Sequence, residues 1–408
     1  MPNNLVPYNE LKLLKDIGNV ETIYLVKLAA DAQEAIAVLN HELKKLPNPY
    51  VLLDSLLLQE SKASSRIENI VTTNDELFKG IVLDDEKGIK EVLNYKNALF
   101  EGFKVIKEKG VFSIGDLIRI NTKLTGSAVG LRKNDSSTPV RYTTISKIDS
   151  AGNKEVLYTP PHGEELLYKL LVDMLEYVYF DDLHPYHPLI KIALAHYQFE
   201  CIHPFYDGNG RTGRILNILF MCQKGMLLHP VLYVSSYLLQ YRVKYYELLQ
   251  STRINDDYED VVAFMLRGFM ETAQKTLAMI EKIENSINQF KEYVRENTVQ
   301  LSHKTSQKVP EEVIALVYEK VYCRVSDLTD ERKKRLGDIE RPAKEPDKNA
   351  GKRKRAAKLP AHRETASLYL RALEKIGLLQ SEKVNNTVIY KNTELIKLFE
   401  TEEKLSGN

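Results

Sequence analysis

The residues best suited to chemistry lie in one twelve-residue stretch, HPFYDGNGRTGR, which runs from His203 to Arg214. The mostly apolar run from Ile215 to Met221 follows at once, so we predict a loop that leads into the N-terminus of a buried helix. Such a terminus binds anions through its free N–H groups and partial positive charge. Glycines let a phosphate approach the backbone, and arginines add forked donors for its oxygens. The spacing therefore indicates a polyphosphate site with a histidine beside it.

Two other phosphate-binding patterns do not fit this stretch. Residues Gly208 to Gly213 match G-x-G-x-x-G, but the dinucleotide fingerprint follows a strand and needs an acidic residue roughly twenty positions later. Here an apolar helical pattern and the His203-Pro204 pair precede the glycines, and no acid lies near Tyr233. The pattern G-x-x-x-x-G-K-[ST] does not occur, which excludes a P-loop.

Histidines and cysteines do not form a recognisable metal pattern. The histidines at 184, 187, 196 and 203 have neither cysteine partners nor an H-E-x-x-H arrangement, so structural zinc is not indicated. The three cysteines lack paired spacing, which argues against a disulfide framework and is typical of a reducing compartment. They are Cys201, Cys222 and Cys323.

Length and charge set broad limits. A chain of 408 residues predicts two or three domains, and a formal net charge of +1 provides no global field that would select nucleic acid or membrane. No stretch approaches the ~20 uncharged apolar residues of a membrane span, and the first residues lack a signal-peptide pattern. We therefore expect a cytoplasmic protein with no membrane partner.

Hydrophobic periodicity predicts a mainly α protein. We expect an N-terminal helical region at 1–87, a helical core at 88–298 and a further domain at 299–408. The predicted helices are Asn19–Leu43, Tyr50–Asn69, Glu91–Lys109, Ser113–Leu124, Gly163–Phe180, Leu189–Cys201 and one or two helices over 257–298. Between them, the tyrosines from Tyr233 to Tyr246 are interpreted mainly as packing residues, with one or two of them beside a nucleotide base.

One segment departs from the helical pattern. Residues 132–160 mix turn-forming residues with β-prone pieces at Arg141–Ile145 and Val156–Tyr158, which favours a β-hairpin with a turn at Asp149–Asn153. Its free edge would suit an extended peptide of a protein substrate, and a purely structural hairpin explains the pattern equally well.

The C-terminal region has its own pattern. Helical segments at Val309–Val321, from Ser326 and at Glu364–Ile376 precede two strand-like pieces around Asn385-Asn386, a hairpin turn signal. This order predicts a winged-helix domain, with Glu364–Ile376 as its recognition helix. A basic insertion at 332–358 lies beside that helix.

Ser64 and Glu68 end the second predicted helix on a shared face, since they are four residues apart. From the pattern alone, a solvated polar face with Asn69 as C-cap is the more frequent explanation.

The central stretch resembles the Fic domain motif H-x-F-x-[D/E]-G-N-G-R-x-x-R. All eight specified positions are occupied without a change in spacing: His203, Phe205, Asp207, Gly208, Asn209, Gly210, Arg211 and Arg214. Ser64, Glu68 and Asn69 resemble the family's inhibitory motif [S/T]-x-x-x-E-[G/N], placed before the core. Segments 91–95, 158–161 and 195–200 are also similar to one subgroup that often carries a C-terminal winged helix. The basic insertion departs from that pattern.

The resemblance implies a Fic-type helical bundle with a hairpin flap, and transfer of AMP from ATP to a Ser, Thr or Tyr hydroxyl of a protein. His203 would be the catalytic base and Asp207 the Mg²⁺ ligand. Asn209, with the N–H groups of Gly208 and Gly210, would stabilise phosphate charge during catalysis. Arg211 and Arg214 would bind the β- and γ-phosphates.

The resemblance also changes the interpretation of Glu68. It implies that Glu68 pairs with Arg214, excludes the γ-phosphate and thereby inhibits the enzyme, while Ser64 docks the helix. Removal of AMP with help from the same glutamate is a minor hypothesis.

Alternatives from other classes stay open at this point. The winged helix and basic insertion would suit a DNA-binding regulator whose Fic core senses nucleotide. Alternatively, the winged-helix domain would contact a protein. A Fic enzyme that transfers another phosphate-containing group is a third hypothesis. The sequence does not decide whether a second copy of the chain is a partner.

Overall fold

Helices dominate the protein, whose computed structural model describes residues 4–45, 49–83, 89–133, 144–148, 154–232, 234–302, 305–329, 359–360 and 362–406. Up to residue 298 the helices are α1 (Ile23–Lys45), α2 (Pro49–Ile67), α3 (Asn74–Leu83), α4 (Lys90–Lys109), α5 (Ile114–Thr125), α6 (Glu164–Tyr179), α7 (Pro188–Ile202), α8 (Asn209–Gln223), α9 (Val234–Gln240), α10 (Arg242–Asn255) and α11 (Glu259–Glu296). The predicted mainly α fold is therefore confirmed. In the described part of the chain, no helix is long and apolar enough to cross a membrane.

The chain divides into two compact units. The first contains Met1–Pro47, Leu56–Val71 and Lys90–Leu277, and the second contains Asn48–Ser55, Thr72–Ile89 and Ala278–Asn408. The domain boundaries expected after residues 87 and 298 stay a prediction.

The core of the first unit surrounds α7. Nearly every residue of this helix is buried, including its polar members Lys191, His196 and Gln198. A helix that is apolar on all sides must be covered on all sides, and α6 and α8 pack against it. The stretch from His203 to Arg214 thus starts at the end of one buried helix and continues into another.

The ends of α7 and α8 define the predicted loop. α7 stops at Ile202 because His203, which precedes Pro204, adopts a left-handed conformation with φ 48°. α8 starts at Asn209 behind Gly208, whose φ is 74°. The helix–loop–helix prediction is confirmed, with the loop at residues 203–208.

The predicted hairpin is also present. Strands β1 (Ile145–Ile148) and β2 (Lys154–Tyr158) pair in antiparallel fashion. The first strand lies further along the chain than the expected Arg141–Ile145, of which 141–143 fall outside the described residues, as does the turn at 149–153. The hydroxyl of Tyr158 donates to the carbonyl of Cys201 at 2.9 Å, which ties β2 to the last turn of α7.

The second unit contains small sheets. Strands β3 (Val299–Ser302) and β4 (Thr305–Gln307) form one hairpin, and β5 (Tyr322–Arg324), β6 (Leu379–Val384) and β7 (Thr387–Asn392) form a sheet in the order β5-β7-β6. Its helices are α12 (Glu311–Tyr318), α13 (Arg363–Lys375) and α14 (Thr393–Ser406), and residues 325–329 are also helical. Helix α3 belongs here, because Phe78 stacks on Phe399 with ring centroids 6.0 Å apart.

Several C-terminal predictions are confirmed and others need correction. The turn at Asn385-Asn386 joins β6 and β7, and Asn385 has the expected positive φ of 52°. The sheet has a third strand, β5, and the β3–β4 hairpin and α14 were not predicted. The winged-helix assignment stays a prediction, and the basic insertion at 332–358 lies outside the described residues.

A capping box starts α5, the helix that supports the loop after His203. The Ser113 hydroxyl accepts from the Asp116 N–H, and the Asp116 carboxylate accepts from the Ser113 N–H at 2.9 Å. We expect Ser113→Ala to lower the free energy of unfolding by ~1 kcal/mol, because it leaves a helix N–H without its acceptor. Urea unfolding followed by circular dichroism measures this. The exposed Ser127→Ala is the matched control, and equal midpoints for the two variants would contradict the prediction.

Candidate active site

A cavity of about 270 Å³ opens beside the loop at 203–208. Its wall includes seven of the nine predicted site residues, Glu68, His203, Asp207, Gly208, Asn209, Gly210 and Arg214, together with Tyr245 and Tyr246. The two remaining predicted site residues contact this wall from behind, since Ser64 bonds to Arg214 and Arg211 bonds to Glu68. The structure thus brings together all of the predicted site residues.

The loop is held from inside by Asn209. Its side-chain oxygen accepts from the N–H of Phe205, and its side-chain nitrogen donates to the carbonyl of Phe205, both at 2.8 Å. The ring of Phe205 is buried, as expected for a residue that fixes the loop. Because both ends of its amide are engaged in this way, Asn209 primarily holds the loop in this structure. Its predicted contact with phosphate stays a prediction.

Helix α5 supports the same loop from outside. The side-chain nitrogen of Asn121 donates to the carbonyl of Asp207 at 2.9 Å and to the hydroxyl of Thr212 at 3.2 Å. Gly208 sits directly over α5, and a Cβ there would lie 2.8 Å from the methyl carbon of Thr125. This position therefore requires glycine both for its positive φ and for its close packing.

Glu68 contacts both arginines of the motif. Its Oε1 lies 3.0 Å from Nη2 of Arg214, and its Oε2 lies 3.0 Å from Nε of Arg211. Arg214 also donates from Nε to the hydroxyl of Ser64 at 2.8 Å and from Nη2 to the carbonyl of Ser64 at 2.9 Å. The end of α2 therefore supplies three acceptor atoms to one guanidinium.

Gly210 makes room for this arrangement. A Cβ at Gly210 would lie 2.8 Å from Oε1 of Glu68 and 2.9 Å from Nη1 of Arg214. Any larger residue would have to displace the pair, so the glycine is required by the close approach of Glu68 to the first turn of α8.

The charge of Arg214 is buried, with only 2% of its side chain exposed. Burial opposes the charged form, but the carboxylates of Glu68 and Glu200 outweigh it and raise the pKa of Arg214. Burial raises the pKa of Glu200 itself to about 7, against the effect of Arg214. Glu200 lines the cavity and was not predicted as a site residue.

His203 is half-buried at the mouth of the cavity. Burial lowers its pKa to about 4, and the charge of Arg132 adds to this shift, while the Glu200 carbonyl and Asp207 oppose it. The imidazole is therefore neutral near pH 7 and has a lone pair available to accept a proton. Its position and protonation state suit a general base.

Asp207 is the acidic residue of the loop, and 73% of its side chain is exposed. Its Oδ1 accepts from the N–H of Gly208 at 2.7 Å, and Oδ2 lies 3.5 Å from Arg211. Among the described residues, no group of three or more acidic, histidine or cysteine side chains could hold a metal ion. One exposed carboxylate fits Mg²⁺ only where substrate phosphates complete the coordination, as in many nucleotide sites.

Sequence patterns missed the residues that hold α2 in place. Glu60 lies on α2, eight residues before Glu68, and is buried. Its carboxylate accepts from the N–H of Ser235 at 2.9 Å and from the Tyr95 hydroxyl at 3.0 Å. Arg132 was also missed, although it bonds to the backbone at His203. Only a three-dimensional arrangement reveals these contacts, because their partners are distant in sequence.

Two family models match consecutive parts of the chain. Residues 26–104 match the model described as Fic/DOC family N-terminal, and residues 111–221 match the model described as Fic/DOC family. Two consecutive segments of the chain are therefore similar to a Fic/DOC domain and to the region that precedes it.

Curated relatives and a solved structure agree with this match. The chain is 29% identical to "Protein adenylyltransferase Fic" of Nematostella vectensis over 191 residues, which cover 47% of this chain and 39% of the relative. It is 28% identical to "Protein adenylyltransferase fic-1" of Caenorhabditis briggsae over 152 residues, covering 37% and 26%. The chain thus spans well under half the length of these relatives. A Fic family protein from Desulfovibrio desulfuricans G20 shares the fold, with a TM-score of 0.50 and 21% identity over 92% of this chain and 97% of that one.

The role of Asn209 in holding the loop can be tested by stability. We expect Asn209→Ala to lower the free energy of unfolding by about 1–3 kcal/mol, because it leaves the buried N–H and C=O of Phe205 without partners. Urea unfolding measures the change. The control is Asn19→Ala, which removes an exposed asparagine that accepts from the Glu21 N–H and should shift stability by no more than about 0.5 kcal/mol. A loss no larger than the control's would show that the amide does not hold the loop.

Proposed function

We propose that the protein is a protein adenylyltransferase that transfers AMP from ATP to a Ser, Thr or Tyr hydroxyl of a protein, itself included. The observation that carries this proposal is the arrangement of one cavity, with neutral His203 at one end and the buried Arg214 at the other. The match to the Fic/DOC family and the names of the curated relatives support it.

Each residue of the motif has a role in this reaction. His203 accepts the proton of the attacking hydroxyl, whose oxygen forms a bond to the α-phosphorus. The bond between the α-phosphorus and the bridging oxygen breaks, and pyrophosphate leaves with the electron pair. Arg211 and Arg214 hold the β- and γ-phosphates, and the first N–H groups of α8, at Gly210 and its neighbours, face the developing charge.

Asp207 would hold Mg²⁺ together with the phosphates. The ion supplies charge neutralisation for the polyphosphate. Asp207 is the exposed carboxylate of the cavity wall, and its Oδ1 is oriented by the Gly208 N–H.

We propose further that Glu68 inhibits the enzyme. It takes up the donors of Arg211 and Arg214 that the β- and γ-phosphates would need, and its own charge repels them. A nucleotide that enters beside it would sit with its α-phosphate out of line, and a misplacement of ~1 Å can cost ~100-fold in rate. The same carboxylate is placed to orient a water molecule, which makes removal of AMP a second reaction to look for.

The hairpin β1–β2 is the proposed docking edge for the protein substrate. Ile145 and Leu157 of this hairpin line the cavity beside His203. An extended segment that pairs with its edge would bring a hydroxyl toward the imidazole.

Intact-mass analysis after incubation with Mg-ATP tests both parts of the proposal. We expect Glu68→Gly to raise adenylylation of the protein about 10- to 100-fold over the unaltered chain, because the phosphates of ATP can then bond to Arg211 and Arg214. Adding His203→Ala to that variant should abolish the gain of AMP, because no base is left. Matched controls are Glu34→Gly and His41→Ala, two exposed positions of α1.

The outcomes separate the two claims. Labelling that survives His203→Ala would rule out the mechanism, and no increase in Glu68→Gly would rule out inhibition by Glu68. A mass gain other than AMP would identify a different transferred group.

A second candidate function concerns the second unit, where one observation favours polyanion binding. A groove there is lined by Arg324, Arg363 and Arg371 together with the turn residue Asn386, against a single acidic residue, Glu364. Arg363, Ser367 and Arg371 recur at helical spacing along α13, so one face of that helix borders the groove. The phosphates of duplex DNA could bind to these arginines. Such contacts are those expected of a winged-helix domain on DNA.

Salt-dependent binding of duplex DNA by the full-length protein tests this candidate. We expect Arg363→Ala with Arg371→Ala to weaken binding and to lower the slope of log K against log salt by up to ~0.9 for each lost phosphate contact. Arg295→Ala, at an exposed ion pair with Glu311, is the control. Absence of binding at low salt, or a slope that the double variant leaves unchanged, would contradict the DNA hypothesis.

A further inference from the structure

Arg132 is a buried arginine whose donors go to backbone carbonyls. The residue is 5% exposed, and in the described ranges of the chain no carboxylate forms an ion pair with it. Its Nε donates to the carbonyl of His203 at 2.7 Å, and its Nη2 donates to the carbonyls of Ile202 at 3.1 Å and Pro161 at 3.0 Å. A buried guanidinium is costly without acceptors, so the end of α7 compensates its charge.

Two of the three carbonyls that the Arg132 side chain binds, those of Ile202 and His203, lie at the C-terminus of α7. The last carbonyls of an α-helix have no intrahelical partner and carry partial negative charge, which a guanidinium complements. The N–H of Arg132 also donates to the carbonyl of Pro204 at 2.9 Å, and Leu131 forms a β-bridge with Phe205. One short segment thus fixes the backbone from Ile202 to Phe205.

This part of the backbone must be held in place because His203 adopts the left-handed conformation, with φ 48° and ψ 56°. Histidine does not favour that conformation, and a relaxed loop would rotate the imidazole away from the cavity. Arg132 bonds to the carbonyls on both sides of the His203 nitrogen, so it restrains the dihedral angles that aim the side chain.

Arg132 also acts on His203 through charge. Two charged side chains of the described residues bear on the imidazole: Arg132 lowers its pKa, after the larger effect of burial, and Asp207 of the loop opposes it. From α7, the backbone carbonyl of Glu200 opposes it as well. Loss of the guanidinium would therefore leave the imidazole easier to protonate.

We propose that Arg132 is a positioning residue for the base, which holds His203 in its left-handed conformation and places a positive charge next to its backbone carbonyl. The inference rests on the proposed function in naming His203 the base. Its structural content does not depend on the identity of the substrate.

The test separates position from charge with two variants of the full-length protein. Arg132→Lys keeps the positive charge but loses the planar guanidinium that reaches several carbonyls at once, whereas Arg132→Met loses both. The first readout is the pKa of His203, from ¹³C NMR of histidine-labelled protein, with the resonance assigned by His203→Ala. The second readout is the pH profile of AMP transfer in the Glu68→Gly background.

In Arg132→Met we expect the pKa of His203 to rise above about 4 but to stay below 6.5, because burial still lowers it, so the acid limb of the profile moves to higher pH. In Arg132→Lys we expect that limb to stay low while kcat falls by roughly tenfold or more, because the base is misplaced. Arg119→Met, at an exposed arginine of α5, should alter neither readout.

A His203 pKa that is unchanged in a folded Arg132→Met variant would overturn the charge role, and a full kcat in Arg132→Lys would overturn the positioning role. If Arg132→Met does not fold, the Lys variant decides: reduced kcat with a low pKa supports the proposal, and wild-type kcat overturns it. If the protein transfers no AMP at all, the NMR titration still decides the charge role, while the failure of transfer belongs to the proposed function.

Discussion

A guanidinium buried beside a cavity must have negative charge within reach. Arg214 meets this constraint with three acceptors from the end of α2 and with Glu200 behind it. Removing one partner of a buried ion pair costs roughly 3–5 kcal/mol, because an uncompensated charge is left in a poor solvent. The phosphates of a polyphosphate could take the place of the Glu68 carboxylate and leave both arginines with acceptors.

The rest of the first unit keeps that arrangement in place. Glu60 fixes α2 through Ser235 and Tyr95, Asn121 of α5 holds the loop from outside, and Asn209 holds it from inside. Gly210 leaves the space in which Glu68 and Arg214 meet. Each of these contacts is buried or partly buried, so the positions of the charged groups depend on packing as much as on their mutual attraction.

Local signals in the sequence were sufficient for the helix–loop–helix that carries the motif. Pro188, the His203-Pro204 pair and Gly208 each restrict the backbone, and the apolar run after Arg214 predicts burial. Periodicity alone would have left Ser64 and Glu68 on a solvated face, since nothing nearby in sequence indicates a guanidinium 146 residues away. Only the family resemblance suggested that contact. The short strand β5 was missed because three residues carry no periodic signal, and Arg132 was missed because its partners are backbone carbonyls, which every sequence has.

The order of residues along the chain has a consequence for synthesis. A ribosome makes Glu68 before it makes Arg214, and at ~5–20 residues per second the sequence separation of 146 residues takes roughly 7–30 seconds to synthesise. When α8 first folds behind its loop, the carboxylate that pairs with it already exists on the same molecule. Translation therefore never produces the two arginines without the acid that covers them, whereas a C-terminal acid would leave every newly made site open until its own synthesis was complete.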